Sequence, residues 1–349
     1  MQAEKKHKMV SYAKYGYIFI APFFLVYAFF MIYPLINTII LSFKGNGSAV
    51  NDFVAFQNYS DLLFGGKSEF DPASAVHEKF FNDMGNTVIL WVGNFIVQLI
   101  LSLLLAVWFS DVRVKIRGTG FFKVVMYLPN IITAASVAGM FLMLFGNTKY
   151  GAVNSMLLNL GWLSEPFKFI NDVWSSRVLV MFIQSWMWFG NTMLLLMSGI
   201  FGIDPSIYEA ADIDGSSGAN TFFRITLPIL KPIFIYVCIT SMIGGLQMFD
   251  IPQLLHEGTT IRPSLETAAV FIYGHFHQNN PNYGYSAAAS VILFIITIVL
   301  GMIIYRSNTE SDRSKNKQKY MSLTGVPPKG TPMNPNTSEN KNTGGVRKN

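Results

Sequence analysis

Long apolar runs, separated by short polar segments, occupy most of the chain before residue 306. Six of them are near or above the roughly 20 apolar residues that an α-helix needs to cross a bilayer. These runs lie at about 15–41, 86–109, 121–145, 177–200, 229–249 and 286–305. The pattern predicts an all-α integral membrane protein, with six transmembrane helices in a domain that covers residues 15–306.

The first run follows a basic start with Lys5, Lys6 and Lys8, which is also how a secretory signal peptide begins. However, the run is much longer than the about 7–15 apolar residues of a signal peptide, and no clear small-residue cleavage site follows it. We therefore expect a first membrane helix preceded by a polar segment at 1–14. Its internal Pro22 and Pro34 are tolerated better in membrane helices than in soluble ones.

Composition supports a membrane protein. Only 13% of the residues are charged, whereas a soluble domain normally carries about 25%. Cys238 is the single cysteine, so an internal disulfide is excluded. The net charge of +6 is spread over loops and tails rather than one face, so it does not indicate nucleic-acid binding.

The distribution of Lys and Arg predicts the orientation, because cytoplasmic segments carry an excess of both. If the N-terminus is inside, nineteen of the 26 basic residues fall in cytoplasmic segments. The first outer loop, 44–85, supports this independently, since its acidic residues outnumber its basic ones. We expect both termini and the segment between spans four and five to be cytoplasmic, although that segment is itself acidic.

The chain after Arg306 consists mainly of Lys, Asn, Ser, Thr, Gly and Pro. Such a composition cannot bury enough apolar surface to offset the entropy of ordering. We therefore predict that residues 307–349 form a basic cytoplasmic tail near anionic lipid, disordered from about 309.

The polar segment at 204–228 predicts a compact helical loop. Asp204 followed by Pro205 is a helix-start signal, and the residues up to Ile213 suit a short helix. Gly215 then allows a sharp turn. We expect a second short helix from about 217 to 224, ending where Pro228 opens the next apolar run.

Three parts of this segment carry a family resemblance: Tyr208-Glu209-Ala210-Ala211, Asp214-Gly215 and Arg224-Ile225-Thr226-Leu227-Pro228. In residues and spacing they resemble the EAA loop of permease subunits in binding-protein-dependent ABC importers. The resemblance implies the type I importer permease fold and a coupling helix that sits in a groove of a cytoplasmic ATPase. It implies ATPase-coupling roles for Glu209, Ala210, Ala211, Asp214, Gly215, Leu227 and Pro228. A loop helix that contacts only its own chain is the simpler alternative.

The resemblance extends beyond this loop. Residues 54–59 are similar to the first external loop of the family, and 244–250 to the fifth span of sugar permeases. The chain looks most like carbohydrate importers of the maltose, lactose and glycerol-phosphate branch. That implies a bacterial cell membrane, a second homologous permease subunit, a cytoplasmic ATPase dimer, an extracytoplasmic solute-binding protein and a sugar substrate. No cofactor is expected.

The sequence offers only weak candidates for a nucleotide-binding or metal site. Gly66-Lys67-Ser68 resembles the end of a phosphate-binding loop, but Asp61 stands where its first glycine should be. His275 and His277 have no carboxylate or cysteine partner at ligand spacing. We therefore expect a transport subunit rather than an enzyme, with no metal and with ATP hydrolysis in a partner.

The middles of the predicted spans lack Asp, Glu, Lys and Arg, which counts against a carrier driven by protons or sodium. Uncharged polar groups do occur there, and Ser185 and Trp188 accompany them in the fourth run. Either a sugar pathway or hydrogen bonding between helices explains them. Three of them, Gln184, Trp186 and Asn191, cannot share one helical face. The candidate pathway residues are Asn94, Gln98, Gln184, Trp186, Asn191 and Gln247.

Three alternatives remain open at this point. A secondary carrier or channel would transport without ATP or partners. A membrane-embedded enzyme would need a clustered nucleophile, base or metal site, and none is found. An ABC permease for another solute, such as an amino acid or phosphonate, would share the EAA loop but not the similarity to sugar permeases outside it.

Overall fold

In the computed structural model, the described part of the chain consists of helices joined by turns and loops. The described residues are 13–46, 49, 52–66, 68, 71–110, 117–256, 263–279 and 281–324. Within them, extended pairing is limited to an isolated antiparallel bridge between Lys44 and Phe53. The chain divides into two compact units, Met1–Gly301 and Met302–Asn349.

The first seven helices cover the region up to residue 159. They are α1 (Ala13–Tyr27), α2 (Tyr33–Leu41), α3 (Gln57–Phe64), α4 (Pro72–Ser110), α5 (Thr119–Ile131), α6 (Ala134–Phe145) and α7 (Ala152–Asn159). The remaining helices are α8 (Val173–Phe201), α9 (Pro205–Ile213), α10 (Gly218–Thr221), α11 (Leu227–Ile229), α12 (Lys231–Leu246), α13 (Asp250–Leu254), α14 (Ala268–His277) and α15 (Tyr283–Thr324).

Five described stretches are long and apolar enough to cross a membrane. They are Tyr15–Leu41, Pro72–Ser110, Val173–Phe201, Lys231–Leu254 and Tyr283–Arg306. The pair α5 and α6 adds a sixth, which is bent by 92° at a short break. Every predicted run is therefore present, but the third is not the straight helix expected over 121–145.

The break between α5 and α6 has a local cause. Pro129 lies in the last turn of α5 and lacks the N–H that would continue the hydrogen-bond ladder. Ile132 is extended, and Thr133 then caps α6 by accepting a hydrogen bond from the Ser136 amide at 3.4 Å. A helix-start signal was thus present inside the apolar run.

Helix α4 begins at Pro72 rather than near residue 86, where the second span was predicted to start. The Asp71 carboxylate accepts the Ala73 amide at 3.0 Å, so Asp71-Pro72 starts this helix as Asp204-Pro205 starts α9. With 39 residues, α4 is about 58 Å long, against a hydrocarbon core of about 30 Å. Its polar first turns therefore project beyond that core.

The last helix also differs from expectation. Disorder was predicted from about residue 309, whereas α15 continues to Thr324. No Gly or Pro lies between Gly301 and Gly325, so the sequence offers no stop signal before the helix ends. The tail at 325–349 and the first twelve residues lie outside the described part of the chain.

Two π-helical turns, Ala28–Ile32 and Phe222–Thr226, each end two residues before a proline. Pro34 and Pro228 have no N–H, and their rings would clash with the carbonyl four residues earlier in a regular α-helix. A widened turn relieves this clash without ending the helical path.

Helix α8 is the central helix of the bundle. Half of its most apolar window is buried, whereas the corresponding window of the first span is fully exposed. Its first half packs in a cluster with Leu90, Phe141 and Ile251. Its second half packs with Ala106 and Leu230. Helix α8 therefore joins α4, α6, α12 and α13 into one core.

Glycines permit two close approaches in this core. A Cβ on Gly190 of α8 would lie 2.1 Å from the Met126 carbonyl oxygen of α5, and one on Gly245 would lie 2.0 Å from the Trp91 ring. A pair of adjacent glycines, Gly244-Gly245, stands near the end of α12, and such a pair favours a close approach or a break. Gly245 provides the close approach, and α12 ends one residue later at Leu246.

We expect Gly190→Ala to lower the melting temperature of the purified protein, because the methyl group must displace backbone atoms; overpacking typically costs about 1–3 kcal/mol. Gly139→Ala in α6 is the matched control, since nothing lies within 4 Å of its Cβ position. It should be neutral or slightly stabilising. Equal melting temperatures for the two variants would contradict the proposed close packing of α5 on α8.

Candidate functional site

The segment 204–228, here called the coupling loop, begins with a capped helix. The Asp204 side chain accepts the Ser206 amide at 2.9 Å, and Pro205 occupies the first position of α9. Hydrogen bonds from the backbone and side chain of Ser206 lower the pKa of the Asp204 carboxyl below its ordinary value. The start of α9 is where the sequence predicted it.

Helix α9 ends in a left-handed glycine turn. Gly215 has a φ of +70°, and its amide donates to the Asp212 carbonyl at 3.1 Å. The Ser216 amide donates to the Ala211 carbonyl at 2.9 Å, which completes a Schellman motif. Nothing lies within 4 Å of a Cβ at Gly215, so backbone conformation rather than space requires glycine here.

The return path differs from the single helix expected over 217–224. Ser217 caps α10 by accepting the Asn220 amide, but α10 is only four residues long. The π-helical turn Phe222–Thr226 follows, because Pro228 disturbs the regular ladder behind it. The coupling loop is therefore a helix, a glycine turn and a widened turn rather than two regular helices.

Side-chain contacts hold the two arms of the coupling loop together. The Tyr208 and Thr226 hydroxyls are 3.2 Å apart and share a hydrogen bond. The Thr221 hydroxyl donates to the Ser216 hydroxyl at 3.1 Å. Ala211, Thr221 and Thr226 are each only 5% exposed. These contacts make the coupling loop a compact body rather than a loosely packed segment.

The residues expected to couple to an ATPase divide between the inside and the surface of this body. Ala211 is buried and Leu227 half-buried, whereas the others are exposed; these are Glu209, Ala210, Asp214, Gly215 and Pro228. Ile213 is 87% exposed, and Phe223 is 64% exposed. The motif did not single out Ile213, which is an exposed apolar side chain at the end of α9.

A cavity of about 430 Å³ lies behind α9, against the adjoining ends of α4 and α8. Its lining includes Val107, Ser110, Phe201, Tyr208, Glu209 and Asp212. The Ser110 hydroxyl is buried without a hydrogen-bond partner in the described structure. The coupling loop therefore borders the bundle on its inner face and is open on the other.

The candidate pathway residues fall into two groups. Asn94, Gln98 and Gln184 are 5–9% exposed, and Trp186 is half-buried. The Gln98 side chain donates to the Thr192 hydroxyl at 2.7 Å and so ties α4 to α8. The Asn94 side chain donates to the Leu90 carbonyl at 3.0 Å. Asn94 and Gln98 are therefore engaged in bonding within α4 and between α4 and α8.

Asn191 and Gln247 are instead exposed on the surface of the chain. Gln184, Trp188 and Asn191 share one face of α8, because residues three, four and seven apart lie close in angle. Trp188 is 47% exposed on this face. Trp186 points away from it and packs edge-on against the Phe141 ring. The expected separation of Trp186 from Gln184 and Asn191 is thus present in the structure.

The two histidines of α14 bond to their own helix. His275 Nδ1 lies 3.0 Å from the Phe271 carbonyl, and His277 Nδ1 lies 3.1 Å from the Tyr273 carbonyl. Burial lowers the pKa of His275 below its ordinary value. Among the described residues, no three His, Cys, Asp or Glu side chains are grouped as metal ligands.

Comparison with known proteins identifies the class. Residues 98–314 match the family described as the binding-protein-dependent transport system inner membrane component, and the chain belongs to this family. It is therefore a multi-pass permease subunit of a binding-protein-dependent transport system.

Individual transport proteins are also similar to this chain. The chain is 32% identical to the arabinooligosaccharides transport system permease protein AraP of Bacillus subtilis, over 82% of this chain and 86% of AraP. It is 30% identical to the lactose transport system permease protein LacF of Rhizobium radiobacter, over 84% of this chain and 94% of LacF. A bacterial ABC transporter that imports the polysaccharide alginate has the same fold, with a TM-score of 0.71 and 21% identity over 84% of this chain and 94% of that one.

The cap of α9 predicts a pH dependence. Because the folded-state pKa of Asp204 is lowered, its contribution to the helix is complete above the ordinary value of 3.8 and is lost as the pH falls through the folded value. Asp204→Ala should lower hydrogen-exchange protection of α9 several-fold at pH 7. Asp204→Asn should keep the protection but remove its loss at acid pH.

Asp172→Ala, which removes the cap of α8, is the control and should leave α9 protected. Unchanged protection of α9 in Asp204→Ala would show that Asp204 does not stabilise the coupling loop.

Proposed function

We propose that this chain is one of two homologous permease subunits in an ATP-driven sugar importer, and that its coupling loop docks on a cytoplasmic ATPase. The observation that carries the proposal is the geometry of that loop. It is tied internally by capping, a Schellman turn and a Tyr208–Thr226 bond, yet it exposes Glu209, Ala210 and Ile213. A body of this kind fits a groove in a partner and is stiff enough to transmit its motion.

The orientation of the chain supports this docking. The excess of Lys and Arg in the predicted inner segments favours cytoplasmic termini and a cytoplasmic coupling loop. The loop is then on the side of the membrane where ATP is available. Its acidic residues weigh little in this rule, which depends on Lys and Arg.

The loop is also well placed to move the bundle. Helix α8 leads into it, and α12 leads out of it. Leu230, just before α12, is 1% exposed and packs with Met193, Leu196 and Ile200 of α8. A force on the loop therefore acts on both helices together. To switch a transporter decisively between two states, the ATPase must favour one by about 5 kcal/mol, which a loosely attached loop could not transmit.

The exposed amides support both a second permease and a polar pathway. Lipid offers no hydrogen-bond partner, so a side chain such as Asn191 or Gln247 facing it would lose the bonds it makes in water. Both are exposed on this chain. A homologous subunit that encloses a water-filled pathway against these side chains would satisfy them. The exposed first span, Tyr15–Leu41, leaves further apolar surface for lipid or for that subunit.

The α8 face with Asn191 also suits a sugar. Sugars are recognised by amide donors and acceptors combined with flat aromatic surfaces, and here Trp188 lies between Gln184 and Asn191. Relatives named for arabinooligosaccharides and lactose support a carbohydrate substrate. The structure of the alginate transporter with its sugar-loaded periplasmic protein supports delivery by an extracytoplasmic binding protein.

Reconstitution tests the proposal. The chain should be co-expressed with the second permease, ATPase and binding protein encoded near it and placed in vesicles. Labelled arabinotriose, lactose, maltose and sn-glycerol 3-phosphate are then tested for uptake. We expect ATP-dependent uptake of a sugar, reduced at least about tenfold by Glu209→Lys or Gly215→Pro, since each disrupts the docking surface or the turn.

Glu165→Lys is the matched control, because it reverses an exposed acidic charge in the predicted outer loop between spans three and four. It should leave uptake unchanged. Uptake without ATP, or full uptake by Glu209→Lys, would overturn the proposal. Uptake of glycerol phosphate alone would replace the sugar by a phosphorylated polyol.

The two groups of polar residues should respond differently. Asn191→Ala and Gln247→Ala should raise the KM for sugar several-fold with little change in melting temperature, because these side chains face the pathway. Gln98→Ala should instead lower the melting temperature, because it leaves the buried Thr192 hydroxyl without its bond. A reversed pattern would place the pathway along α4 rather than along the exposed face of α8.

A further inference from the structure

A polar cluster lies at the opposite end of α8 from the coupling loop. Arg177 is in the second turn of α8, and its Nη2 donates to the Asn86 side-chain oxygen of α4 at 2.6 Å. Its Nε donates to the Ser264 carbonyl at 3.4 Å. The guanidinium also lies over the Trp174 ring, 5.6 Å from its centroid. One side chain thus bridges α8, α4 and the segment that precedes α14.

Asn86 completes this bridge. Its side-chain nitrogen donates to the Pro263 carbonyl at 2.7 Å and to the Glu266 carbonyl at 3.0 Å, and the residue is only 5% exposed. Both amide hydrogens and the amide oxygen are therefore used. We call Asn86, Arg177 and the segment 263–268 the outer clamp.

Further contacts fix the same segment. Lys79 of α4 forms an ion pair with Glu266, and the Ala268 amide donates to the Thr87 hydroxyl at 2.8 Å. The Ser176 and Ser264 hydroxyls are 3.3 Å apart. Leu265, between these polar contacts, is fully buried. The segment is held against α4 and α8 by bonds from both helices.

The clamp also reaches the end of α12. The Thr267 hydroxyl donates to the Met248 carbonyl at 2.6 Å, two residues after α12 ends. Helices α8 and α12 are joined at one end by the coupling loop and at the other by the clamp. Helix α8 is unbroken over 29 residues, which is about 44 Å, so its two ends can move as one body.

We propose that Arg177 is a positioning residue that keeps sugar import tied to ATP hydrolysis, by making the outer segment 263–268 move with α8. This inference rests on the proposed function. When the ATPase displaces the coupling loop, α8 carries the displacement across the membrane, and the clamp passes it to the outer end of the fifth span. Without the clamp, the inner and outer ends of the pathway would no longer change together.

The test uses the complete reconstituted complex with arabinotriose, lactose or maltose, whichever the wild type imports. Two rates are measured for each variant, sugar uptake and ATP hydrolysis. We expect Arg177→Ala and Asn86→Ala each to reduce uptake by about tenfold, because each leaves a partly buried polar group of the other unpaired. ATP hydrolysis should fall much less, so the number of ATP molecules used per sugar rises.

Three comparisons separate positioning from simple loss of structure. Lys168→Ala removes an exposed basic charge from another predicted outer loop and should leave both rates unchanged. The double variant Asn86→Ala with Arg177→Ala should be less impaired than the product of the two single effects, because both single variants remove the Arg177–Asn86 contact. Arg177→Lys should recover only part of the uptake, since one ammonium cannot replace the forked contacts.

Three results would overturn the inference. The first is wild-type uptake in Arg177→Ala. The second is an equal fall of uptake and ATP hydrolysis together with a lower melting temperature, which would mean a structural role alone. The third is multiplied effects in the double variant. Glu209→Lys is measured in parallel to separate the two hypotheses. If both Glu209→Lys and Arg177→Ala leave uptake intact, the proposed function fails. If Glu209→Lys loses uptake while Arg177→Ala is unaffected, only the role of the outer clamp is rejected.

Discussion

The absence of hydrogen-bond partners in lipid is the constraint on which this structure depends. Backbone groups in a bilayer must be satisfied within the chain, and helices do this over each membrane span. The same constraint acts on side chains. Gln98 bonds to Thr192, and the Ser185 hydroxyl is 3.0 Å from the Asn94 carbonyl. The α4–α8 pair is thus held by polar contacts in addition to apolar packing, and its register is fixed by them.

The same constraint makes the polar side chains that are exposed on the spans informative. An exposed amide at the surface of a soluble protein needs no explanation, because water satisfies it. Asn191 and Gln247 lie on spans, where lipid could not. In the proposed assembly, the surface around them faces another polypeptide or water. In the proposed assembly, these exposed amides mark where the second permease subunit would pack.

Local structure could be predicted from the sequence where a few adjacent residues determine it. Asp204-Pro205 and Gly215 fixed the start and end of α9, because capping and a left-handed turn depend on single side chains. The same signals at Asp71-Pro72 and Thr133 were hidden by the strong apolar runs that follow or surround them. The helical path through Pro228 was also unforeseen, since a π-helical turn and a helix end are alternative responses to proline.

Contacts between distant residues could not be read in this way. Asn86 and Arg177 are separated by 91 residues, and nothing near either one indicates its partner. By contrast, the grouping of Gln184, Trp188 and Asn191 on one face follows from helical periodicity alone. Sequence patterns thus predict which side chains one helix can present together, while packing decides whether that face is covered. Asn94 and Gln98 are buried against a neighbouring helix, whereas Asn191 is exposed.

Helix α8 brings these observations together. It supplies the central packing surface, the exposed polar face and the connection to the coupling loop, and its far end is tied to α4 through Arg177. The described middles of the spans carry no acidic or basic side chain that could use an ion gradient. In the proposed function, energy for transport enters as mechanical displacement from outside the bundle. A continuous, centrally packed helix that is anchored at both ends is the element best suited to carry such a displacement, because bending it would break contacts in every part of the core.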